Sequence, residues 1–419
     1  MSAERAPAPV ARRLHHRLAP LAVLAVVVIT AACTSGTSGT SGTSGTSGST
    51  SPTPSQPLAP WVGTFIGVTV PAGVHSLQDV TCPTASRCWA VGSTLASAKD
   101  PSIAAVVASS NGGRSWVVQV VPAGVTYLTD IACTGVRTCI AVGQAGTAGD
   151  GPGAVISTTN GGVTWTLQTV PAGTSDVTAV ACTAGGRCTA LADIAGRVTT
   201  LTPAGAGTGG AWVAGGALPA TVSAATAESC TDAAHCWATG ISPVDVGHAV
   251  GAVAATADSG ATWALQTVPS GTGALQGISC TQLAGSGSST TTSPPTSTVA
   301  CTAVGTTATS FGGNRTGQGI VLTTSNGGTA WVSAVVTSTS ADLLAVSCGA
   351  GPCVAVGTTV ASAPQAGIIV LARSGAVGAG AWRRAISSTV ALPLAGVSCL
   401  SLASCVVVGN SITAHLSAR

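Results

Sequence analysis

Cysteine is the residue whose number and spacing carry most of the chemistry in this chain. The sequence of 419 residues contains 15 cysteines, of which Cys33 stands alone and fourteen form local pairs. The seven pairs are Cys82–Cys88, Cys133–Cys139, Cys182–Cys188, Cys230–Cys236, Cys280–Cys301, Cys348–Cys353 and Cys399–Cys405. In an exported protein such pairs are expected to be disulfides. Zinc is the alternative, but the pairs lack the usual spacing of about two to four residues, so we predict no metal.

Carboxylates and histidines that could exchange protons are few and scattered. Asp79 and Asp130 each stand three residues before the first cysteine of a pair, but only two of the seven pairs have this feature. Paired-carboxylate glycosidase chemistry is therefore weakly supported. The four histidines beyond the N-terminal region are His75, His235, His248 and His415. They lie far apart relative to the cysteine pairs, so we interpret them as solvated loop or strand-end residues and predict no catalytic residue.

The N-terminus is typical of an export signal that ends at a lipid-attachment cysteine. A basic region with Arg12, Arg13 and Arg17 precedes an apolar run at residues 21–29, and a Thr-Ala-Ala-Cys sequence ends at Cys33. The run is too short to span a membrane. Small residues before a single cysteine resemble the bacterial lipobox, in which the cysteine is diacylated, although Thr30 stands where that motif usually has Leu. We predict a lipoprotein signal peptide over residues 1–32 and lipidation of Cys33, with a simple signal peptide as the alternative.

The segment at residues 33–59 and the overall charge limit which kinds of partner the chain can bind. Residues 33–59 contain five Thr-Ser-Gly triplets and a Ser/Thr/Pro stretch, which predicts a flexible linker. Charged residues make up 6% of the chain, against roughly 25% in typical soluble proteins. Without the predicted signal peptide, eleven basic residues balance eleven acidic ones. A neutral domain gives no electrostatic support for nucleic-acid binding, so membrane contact is expected through the lipid anchor only.

The elements that must position these residues form a repeat of about fifty residues, which is typical of a propeller or an array of β units. The general pattern of a unit is a Val-Pro-Ala-Gly connection, the cysteine pair, an Ala-Val-Gly strand, a variable loop and a turn followed by Trp. The clearest turns are Ser109–Trp116, Thr158–Trp165, Thr256–Trp263 and Thr324–Trp331. In each, an Asn or Asp side chain can accept hydrogen bonds from backbone amides ahead of it, and glycine tolerates positive φ. We expect β-strands throughout the repeat.

Seven of the nine tryptophans occupy the same place in the repeat and are predicted to pack between sheets. They are Trp61, Trp116, Trp165, Trp212, Trp263, Trp331 and Trp382. The last unit ends at Arg419 without a turn and Trp, whereas the domain begins with a Trp and an apolar strand. We therefore predict an all-β, seven-bladed β-propeller over residues 60–419, in which the N-terminal strand completes the last blade and removes an open edge.

The motifs Thr-x-Asn-Gly-Gly-x-Thr-Trp and Trp-Ala-Val-Gly resemble those of the Asp-box, or bacterial neuraminidase repeat, propellers. The chain looks closest to the photosystem II assembly factor-like and sialidase-like branches, and it departs from the former by adding a cysteine pair in every blade. The resemblance covers about Trp61 to Arg419. It implies blade architecture and leaves function open, because sialidases, xyloglucanases, sorting receptors and assembly factors share the motif.

Sialidase activity is the enzymatic function to weigh, because that family needs a tyrosine and a glutamate acting together. The domain has one residue of each type, Tyr127 and Glu228. They lie six and two residues before the first cysteines of different units, which predicts a height difference of roughly 13 Å along the strands. We therefore expect them to be too far apart to act together.

The variable loops are the predicted binding surface. In a four-stranded blade, the turns between strands one and two and between strands three and four share one face, so the variable loops lie on the other. Function usually sits on variable loops held by a rigid scaffold. The candidates on that face are Lys99, Asp100, Tyr127, Asp150, Asp193, Arg197, Asp245, His248, Phe311 and Arg315. A competing basic arc on the opposite face consists of Arg87, Arg137, Arg187 and His235.

Taken together, these features predict an exported lipoprotein on the outer face of the cell membrane that acts as a non-catalytic binding or assembly scaffold. We expect an envelope protein or a glycan as its partner, a monomeric state, and no cofactor. The alternative function is a carbohydrate-active enzyme or glycan-binding protein of the sialidase-like kind.

Overall fold

A computed structural model describes residues 63–94, 102–146, 151–205, 210–245, 248–283, 298–308, 317–349, 353–359, 366–372, 382–386, 392–401, 404–410 and 412–418. Cys33, the predicted signal peptide and the predicted linker lie outside the described residues. The described part of the chain consists of strands joined by turns, as the repeat predicts. None of its segments is a helix of the length and hydrophobicity needed to cross a membrane.

The strands form antiparallel blades in chain order. Blade 1 contains β2 (Val74–Thr81), β3 (Cys88–Thr94), β4 (Ala104–Ser109) and β5 (Val117–Gln119). Blade 2 contains β6 (Val125–Cys133), β7 (Cys139–Ala145), β8 (Gly153–Thr158) and β9 (Thr166–Leu167). Blade 3 contains β10 (Thr174–Cys182), β11 (Cys188–Ile194), β12 (Arg197–Pro203) and β13 (Trp212–Ala217). Blade 4 contains β14 (Ala224–Cys230), β15 (Cys236–Asp245), β16 (His248–Thr256) and β17 (Ala264–Gln266).

Blades 5 and 6 share one long strand, β21 (Val332–Cys348), which pairs first with blade 5 and then with blade 6. Blade 5 also contains β18 (Leu275–Leu283), β19 (Thr298–Thr306) and β20 (Gln318–Thr324). Blade 6 also contains β22 (Cys353–Thr359), β23 (Gly367–Ala372) and β24 (Trp382–Ile386). Blade 7 contains β25 (Leu394–Ser401), β26 (Ser404–Gly409), β27 (Ile412–Ala418) and β1 (Gly63–Thr69). The fold is therefore the predicted seven-bladed β-propeller.

The first strand of each blade lies at the centre of the propeller. These inner strands contact one another in the cyclic order β2, β6, β10, β14, β18, β21 and β25, and β25 contacts β2. Apolar clusters fill the spaces between blades, and the cluster between blades 7 and 1 contains Val406, Val408 and Trp116. The inner strands therefore surround a common axis, with the core lying between neighbouring sheets.

Every inner strand has a β-bulge at the same place, between the fifth and third residues before its first cysteine. A bulge adds one unpaired residue and bends the strand locally. This explains the glycine of the Ala-Val-Gly strand, because a Cβ at Gly143 would lie 2.1 Å from the carbonyl oxygen of Tyr127. Blade 3 is the exception among the seven and has Ala192 opposite its bulge.

The Asn/Asp-Gly turns have the hydrogen bonds that their sequence predicts. In blade 2, Asn160 Oδ1 accepts a hydrogen bond from the Thr164 amide at 3.0 Å, and the Gly162 amide donates to Thr158 Oγ1 at 2.9 Å. Gly162 has a φ of 84°, a conformation that glycine adopts without a steric penalty.

The tryptophan after each of these turns reaches back to the preceding blade. The Trp165 indole N–H donates to Gln119 Oε1 at 2.9 Å. Equivalent bonds from the turn tryptophans of blades 1, 4 and 5 join Trp116 to Thr413, Trp263 to Thr200 and Trp331 to Gln266. In these four blades the tryptophan thus supplies both apolar area and a directed bond between blades. Trp212 and Trp382, where the turn sequence has diverged, are also buried, and the Trp382 indole N–H has no hydrogen-bond partner among the described residues.

The seven predicted disulfides are confirmed. The structure joins Cys82–Cys88, Cys133–Cys139, Cys182–Cys188, Cys230–Cys236, Cys280–Cys301, Cys348–Cys353 and Cys399–Cys405. In six blades the disulfide ties the inner strand near its end to the second strand near its start, and in blade 5 Cys280–Cys301 joins cross-strand partners in the middle of β18 and β19. Closing so short a loop stabilises the fold by about 2 kcal/mol per bridge in the chain-entropy model.

The N-terminal strand pairs with the last strand of the described chain. β1 pairs antiparallel with β27 over seven positions, from Gly63 opposite Ala418 to Thr69 opposite Ile412. Blades 7 and 1 also contact each other through their inner strands and a shared apolar cluster. How much β1 contributes to closure stays a prediction, for which truncation is the test.

Candidate functional site

The propeller has two chemically different faces. The clip face is formed by the cysteine hairpins and the Asn/Asp-Gly turns, which meet where the Gly161 amide donates to the Arg137 carbonyl at 2.8 Å. The loop face is formed by the Val-Pro-Ala-Gly connections and the loops after the second strands, which meet where the Gly146 amide donates to the Gly124 carbonyl at 2.8 Å. This is the arrangement inferred from strand order alone.

The structure describes half of the predicted binding residues, all of them on the loop face. Tyr127 lies near the start of β6, and Asp193 and Arg197 flank the hairpin between β11 and β12. Asp245 and His248 are cross-strand partners in blade 4. The other candidates, which lie outside the described residues, are Lys99, Asp100, Asp150, Phe311 and Arg315. The structure therefore brings two predicted pairs together, one in blade 3 and one in blade 4.

A carboxylate pair in blade 3 extends the predicted site. Asp176, on the inner strand β10, is the cross-strand partner of Asp193 on β11. Asp193 Oδ1 accepts hydrogen bonds from Ser175 Oγ and the Gly196 amide, both at 3.0 Å. Burial, opposed by a backbone hydrogen bond from Val177 and aided by the Asp193 carboxylate, raises the pKa of Asp176 to about 6. Sequence reasoning missed Asp176, although its position opposite Asp193 follows from the repeat.

The Asp176 carboxyl is only partly satisfied. Its Oδ1 is buried and has no hydrogen-bond partner among the described residues. Nearby Arg197 is exposed and donates from its guanidinium to the Leu218 carbonyl at 3.3 Å. A buried acceptor without a donor is unfavourable. Because Asp176 Oδ1 is itself out of reach of a ligand, the site in blade 3 can accept a hydrogen bond from a positively charged or polar ligand through the partly exposed Asp193 carboxylate.

A second pair of carboxyls lies at the axis. Asp79 and Asp130, on the inner strands of blades 1 and 2, hydrogen-bond each other through their side chains. Burial between the strands raises the pKa of both groups, and the negative charge of Asp130 raises the pKa of Asp79 further. The pair therefore holds a proton above the pH at which a solvated aspartate ionises. Sequence reasoning supported this pairing only weakly, and the structure brings the two side chains together.

The axial pair also joins neighbouring blades. The Ile131 amide donates to Asp79 Oδ2 at 3.2 Å, and the Val180 amide donates to Asp130 Oδ2 at 2.9 Å. At four other junctions a serine one residue before the first cysteine plays this role; these serines are Ser229, Ser279, Ser347 and Ser398. Asp79 and Asp130 thus make an inter-blade bond of the same kind as these serines, but from a position two residues earlier in the inner strand.

The remaining candidates for chemistry are separated from one another. Tyr127 lies on the inner strand of blade 2, and Glu228 is buried on the inner strand of blade 4, where it accepts a hydrogen bond from Thr189 Oγ1 at 2.9 Å. His235 forms an ion pair with Asp232 at 2.9 Å. The arginines of the basic arc, Arg87, Arg137 and Arg187, are exposed on the clip face.

A polar cleft of about 450 Å³ opens between the outer parts of blades 2 and 3. Hydroxyl-bearing side chains dominate its lining, among them Ser157, Thr164 and Thr166. The cleft has no carboxylate or imidazole in its lining. It therefore offers hydrogen bonds rather than acid–base chemistry.

Comparison with known proteins identifies relatives in fold. The sequence matches no protein-family model and no curated protein. The structure of YCF48 bound to a D1 peptide is similar, with a TM-score of 0.51 and 12% identity over 87% of this chain and 99% of that chain. A streptogramin B lyase has a TM-score of 0.58 and 11% identity over 85% of this chain and 98% of that chain.

A third similar structure is a catalytically inactive virginiamycin B lyase from Staphylococcus aureus with quinupristin. Its TM-score is 0.57 and its identity 12%, over 85% of this chain and 100% of that chain. These matches confirm the predicted propeller architecture. Because binding proteins and enzymes share this fold, the function has to be argued from the residues.

Proposed function

We propose that this chain is a non-catalytic binding scaffold whose loop face holds a protein partner through a basic segment. The observation that carries the proposal is the carboxylate pair of Asp176 and Asp193 on the loop face. A lysine or arginine of the partner would pair with the Asp193 carboxylate, which is partly exposed beside the Asp176 carboxyl. The disulfides on the clip face keep the scaffold rigid, which lowers the entropic cost of binding.

Two further observations support binding rather than catalysis. The axial carboxyls of Asp79 and Asp130 are engaged with backbone amides, as serine is at four other junctions. Their raised pKa values therefore follow from a structural role. YCF48, which is similar in fold, has been observed with a bound D1 peptide. A propeller of this kind can hold a segment of another protein.

The binding proposal predicts a difference between the two faces. The full chain carrying Asp176→Asn and Asp193→Asn should bind its partner about tenfold to a hundredfold more weakly, because the loss of the one charged hydrogen bond to Asp193 costs about 1.5 to 3 kcal/mol. The measurement is quantitative capture from detergent-solubilised envelope by the immobilised protein, followed by affinity measurement with the captured partner. The matched control replaces Arg87, Arg137 and Arg187 with alanine and should bind normally. The reverse pattern would move the site to the clip face.

We further propose that the chain is exported and held on the outer face of the membrane by a lipid on Cys33, with residues 33–59 as the tether and a monomeric propeller beyond it. Replacing Cys33 with alanine should move the protein from the membrane pellet to the soluble fraction, since no other anchor is proposed. The measurement is fractionation of cells followed by immunoblotting, with Ser49→Ala in the linker as the control. A Cys33→Ala protein that stays fully in the pellet would contradict the anchor.

The alternative is a carbohydrate-active or glycan-binding protein, and one observation favours it. A carboxyl with a pKa of about 6 beside a second carboxyl is a pairing that glycosidases use for acid and base roles. Incubation with sialosides and plant polysaccharides distinguishes the two functions. Turnover that disappears in Asp176→Asn would favour the enzyme, whereas no turnover together with loss of partner binding would favour the scaffold.

A further inference from the structure

The junction between blades 3 and 4 differs chemically from the other six. At each junction, the residue two positions before the first cysteine lies in the same place beside the preceding blade. In six blades this residue is a buried aliphatic side chain; these are Val80, Ile131, Val180, Ile278, Val346 and Val397. In blade 4 it is Glu228, which is only 7% exposed.

The residue of the preceding blade that packs against Glu228 also differs from its counterpart at the junction of blades 2 and 3. Ile140 and Val180 share one apolar cluster at the junction of blades 2 and 3. At the next junction the corresponding residues are Thr189 and Glu228, joined by a hydrogen bond from Thr189 Oγ1 to Glu228 Oε1 at 2.9 Å. The other carboxyl oxygen, Oε2, is buried without a hydrogen-bond partner among the described residues. A polar pair has thus replaced an aliphatic one, at a cost in burial.

The side chain of Glu228 lies against the disulfide of its own blade. Glu228 Oε1 lies 4.0 Å from Cys230 Sγ. A carboxyl oxygen of Glu228 and both sulfurs of Cys230 and Cys236 all lie within 4.8 Å of one another, so Cys236 Sγ is also close to the carboxyl. Thr189 Oγ1 lies 3.4 Å from Cys230 Sγ and 4.0 Å from Cys236 Sγ. Cys236 is 1% exposed, whereas Cys230 is partly exposed. An attacking thiol would therefore reach Cys230 first.

The carboxyl is in the form that can donate a proton. Burial raises the pKa of Glu228 to about 8, the hydrogen bond from Thr189 opposes this rise, and the charge of Asp130 adds to it. Asp130 itself has a raised pKa and shares a hydrogen bond with Asp79. Glu228 is therefore mostly protonated at neutral pH.

We propose that Cys230–Cys236 is a redox-active disulfide that is reduced by an external dithiol, with Glu228 as the general acid for the departing sulfur. A thiolate of the dithiol attacks Cys230 Sγ and forms a mixed disulfide. The bond between the two protein sulfurs breaks, and its electron pair goes to Cys236 Sγ, which takes the proton from Glu228. The second thiol of the donor then attacks its own sulfur in the mixed disulfide and releases Cys230 as a thiol. The donor is oxidised to a disulfide, the protein pair is reduced, and Glu228 regains a proton from solvent.

The rate at which the disulfide is reduced depends on how well the leaving sulfur is stabilised. A thiolate released in a buried apolar site is disfavoured, which slows exchange, because exchange is faster when the leaving sulfur is better stabilised. A neighbouring acid removes this barrier, and general acid catalysis of this kind typically contributes about a hundredfold to ten-thousandfold in rate. In the other six blades an aliphatic side chain takes the place of the acid. Only the blade 4 disulfide is therefore expected to be reduced rapidly.

The test compares two disulfides within one molecule. The oxidised full chain is treated with dithiothreitol, free thiols are alkylated at set times, and mass spectrometry reports the reduction of each pair. Cys182–Cys188 is the internal control, because it has the same sequence separation of 6 and has Val180 at the position of Glu228. Per thiolate of reductant, Cys230–Cys236 should be reduced at least tenfold faster at about pH 6.5, and this advantage should fall as pH rises through about 8.

The variant Glu228→Gln preserves the shape of the side chain and removes the acid. It should slow reduction of Cys230–Cys236 about tenfold or more, abolish the fall with pH, and leave Cys182–Cys188 unchanged. The proposal would be overturned by equal rates for the two disulfides in the native sequence. It would also be overturned if Glu228→Gln left the rate and its pH profile unaltered, since solvent exposure of Cys230 would then explain the preference.

Discussion

Deletion of residues 61–73 is expected to destabilise the propeller by about 5 kcal/mol or more and to make it aggregate. The deletion removes β1 and with it the antiparallel pairing to β27 at seven positions. Each lost backbone hydrogen bond contributes about 1 kcal/mol, to which the loss of apolar burial adds. β27 would become an edge strand open to other chains. Thermal unfolding under non-reducing conditions should show a fall in Tm of about 10 °C or more.

The matched control shortens the chain elsewhere. Deletion of residues 34–48, the Thr-Ser-Gly triplets, removes a similar length of sequence and should leave Tm unchanged. Light scattering during the temperature ramp reports aggregation through the exposed edge. If both deletions gave the same Tm as the full chain, the inner-strand contacts of β25 with β2 would be sufficient to close the ring.

The features that recur in every blade could be predicted from the sequence, because each unit meets the same structural requirement with the same residue type at the same position. The cysteine pairs predict their disulfides by spacing, and Trp165 predicts its inter-blade position by following the turn. The bulges are a different case. The residue that bulges is Gln78 in blade 1, Thr129 in blade 2 and Leu344 in blade 6, so no residue type marks the place. The glycine opposite was the available signal, since it shows where backbone comes close.

The candidate site could be predicted only in part, because its chemistry arises between units. Asp193 was found as a charged loop residue, but its partner Asp176 lies on another strand, and burial rather than a motif raises the pKa of Asp176. The same holds for Asp79 and Asp130. The sequence shows that both stand three residues before the first cysteine of adjacent units, but it does not show that their side chains are in contact. Glu228 becomes meaningful only beside Thr189 of the preceding blade. Aligning the units by their cysteines would have marked Glu228 as the acid in a column of aliphatic residues.

The same junction is expected to lower the stability of the protein at neutral pH. The folded-state pKa of Glu228 is about 8, against an ordinary value of 4.5. Between these two pH values the folded protein holds a proton that the unfolded chain has released. The free energy of unfolding should therefore fall as pH rises through this window, by up to about 1.4 kcal/mol per pH unit, and become level above about pH 8. Over the whole window the loss is on the order of 5 kcal/mol.

Replacing Thr189 with isoleucine and Glu228 with valine restores the aliphatic pair of the preceding junction, Ile140 with Val180. At about pH 4.5 the double variant and the native sequence should differ little, and by about pH 8 the variant should be more stable by several kcal/mol. Guanidinium unfolding of the oxidised proteins across this range measures the difference. The raised pKa of Asp176 affects both proteins alike and cancels in the comparison, whereas the charge of Asp130, which contributes to the raised pKa of Glu228, is part of the measured difference.

Val180→Ile is the matched control, because it changes packing at the preceding junction without adding or removing a titratable group; it should shift stability equally at every pH. Parallel curves for the double variant and the native sequence would contradict the buried, protonated state of Glu228. If the two curves of unfolding free energy against pH diverge, Glu228 destabilises the junction between blades 3 and 4 at neutral pH, whereas an aliphatic pair does not. If the same double variant also loses the selective reduction of Cys230–Cys236, both results have one cause. The carboxyl of Glu228 lowers the free energy of unfolding at neutral pH and also protonates the departing sulfur.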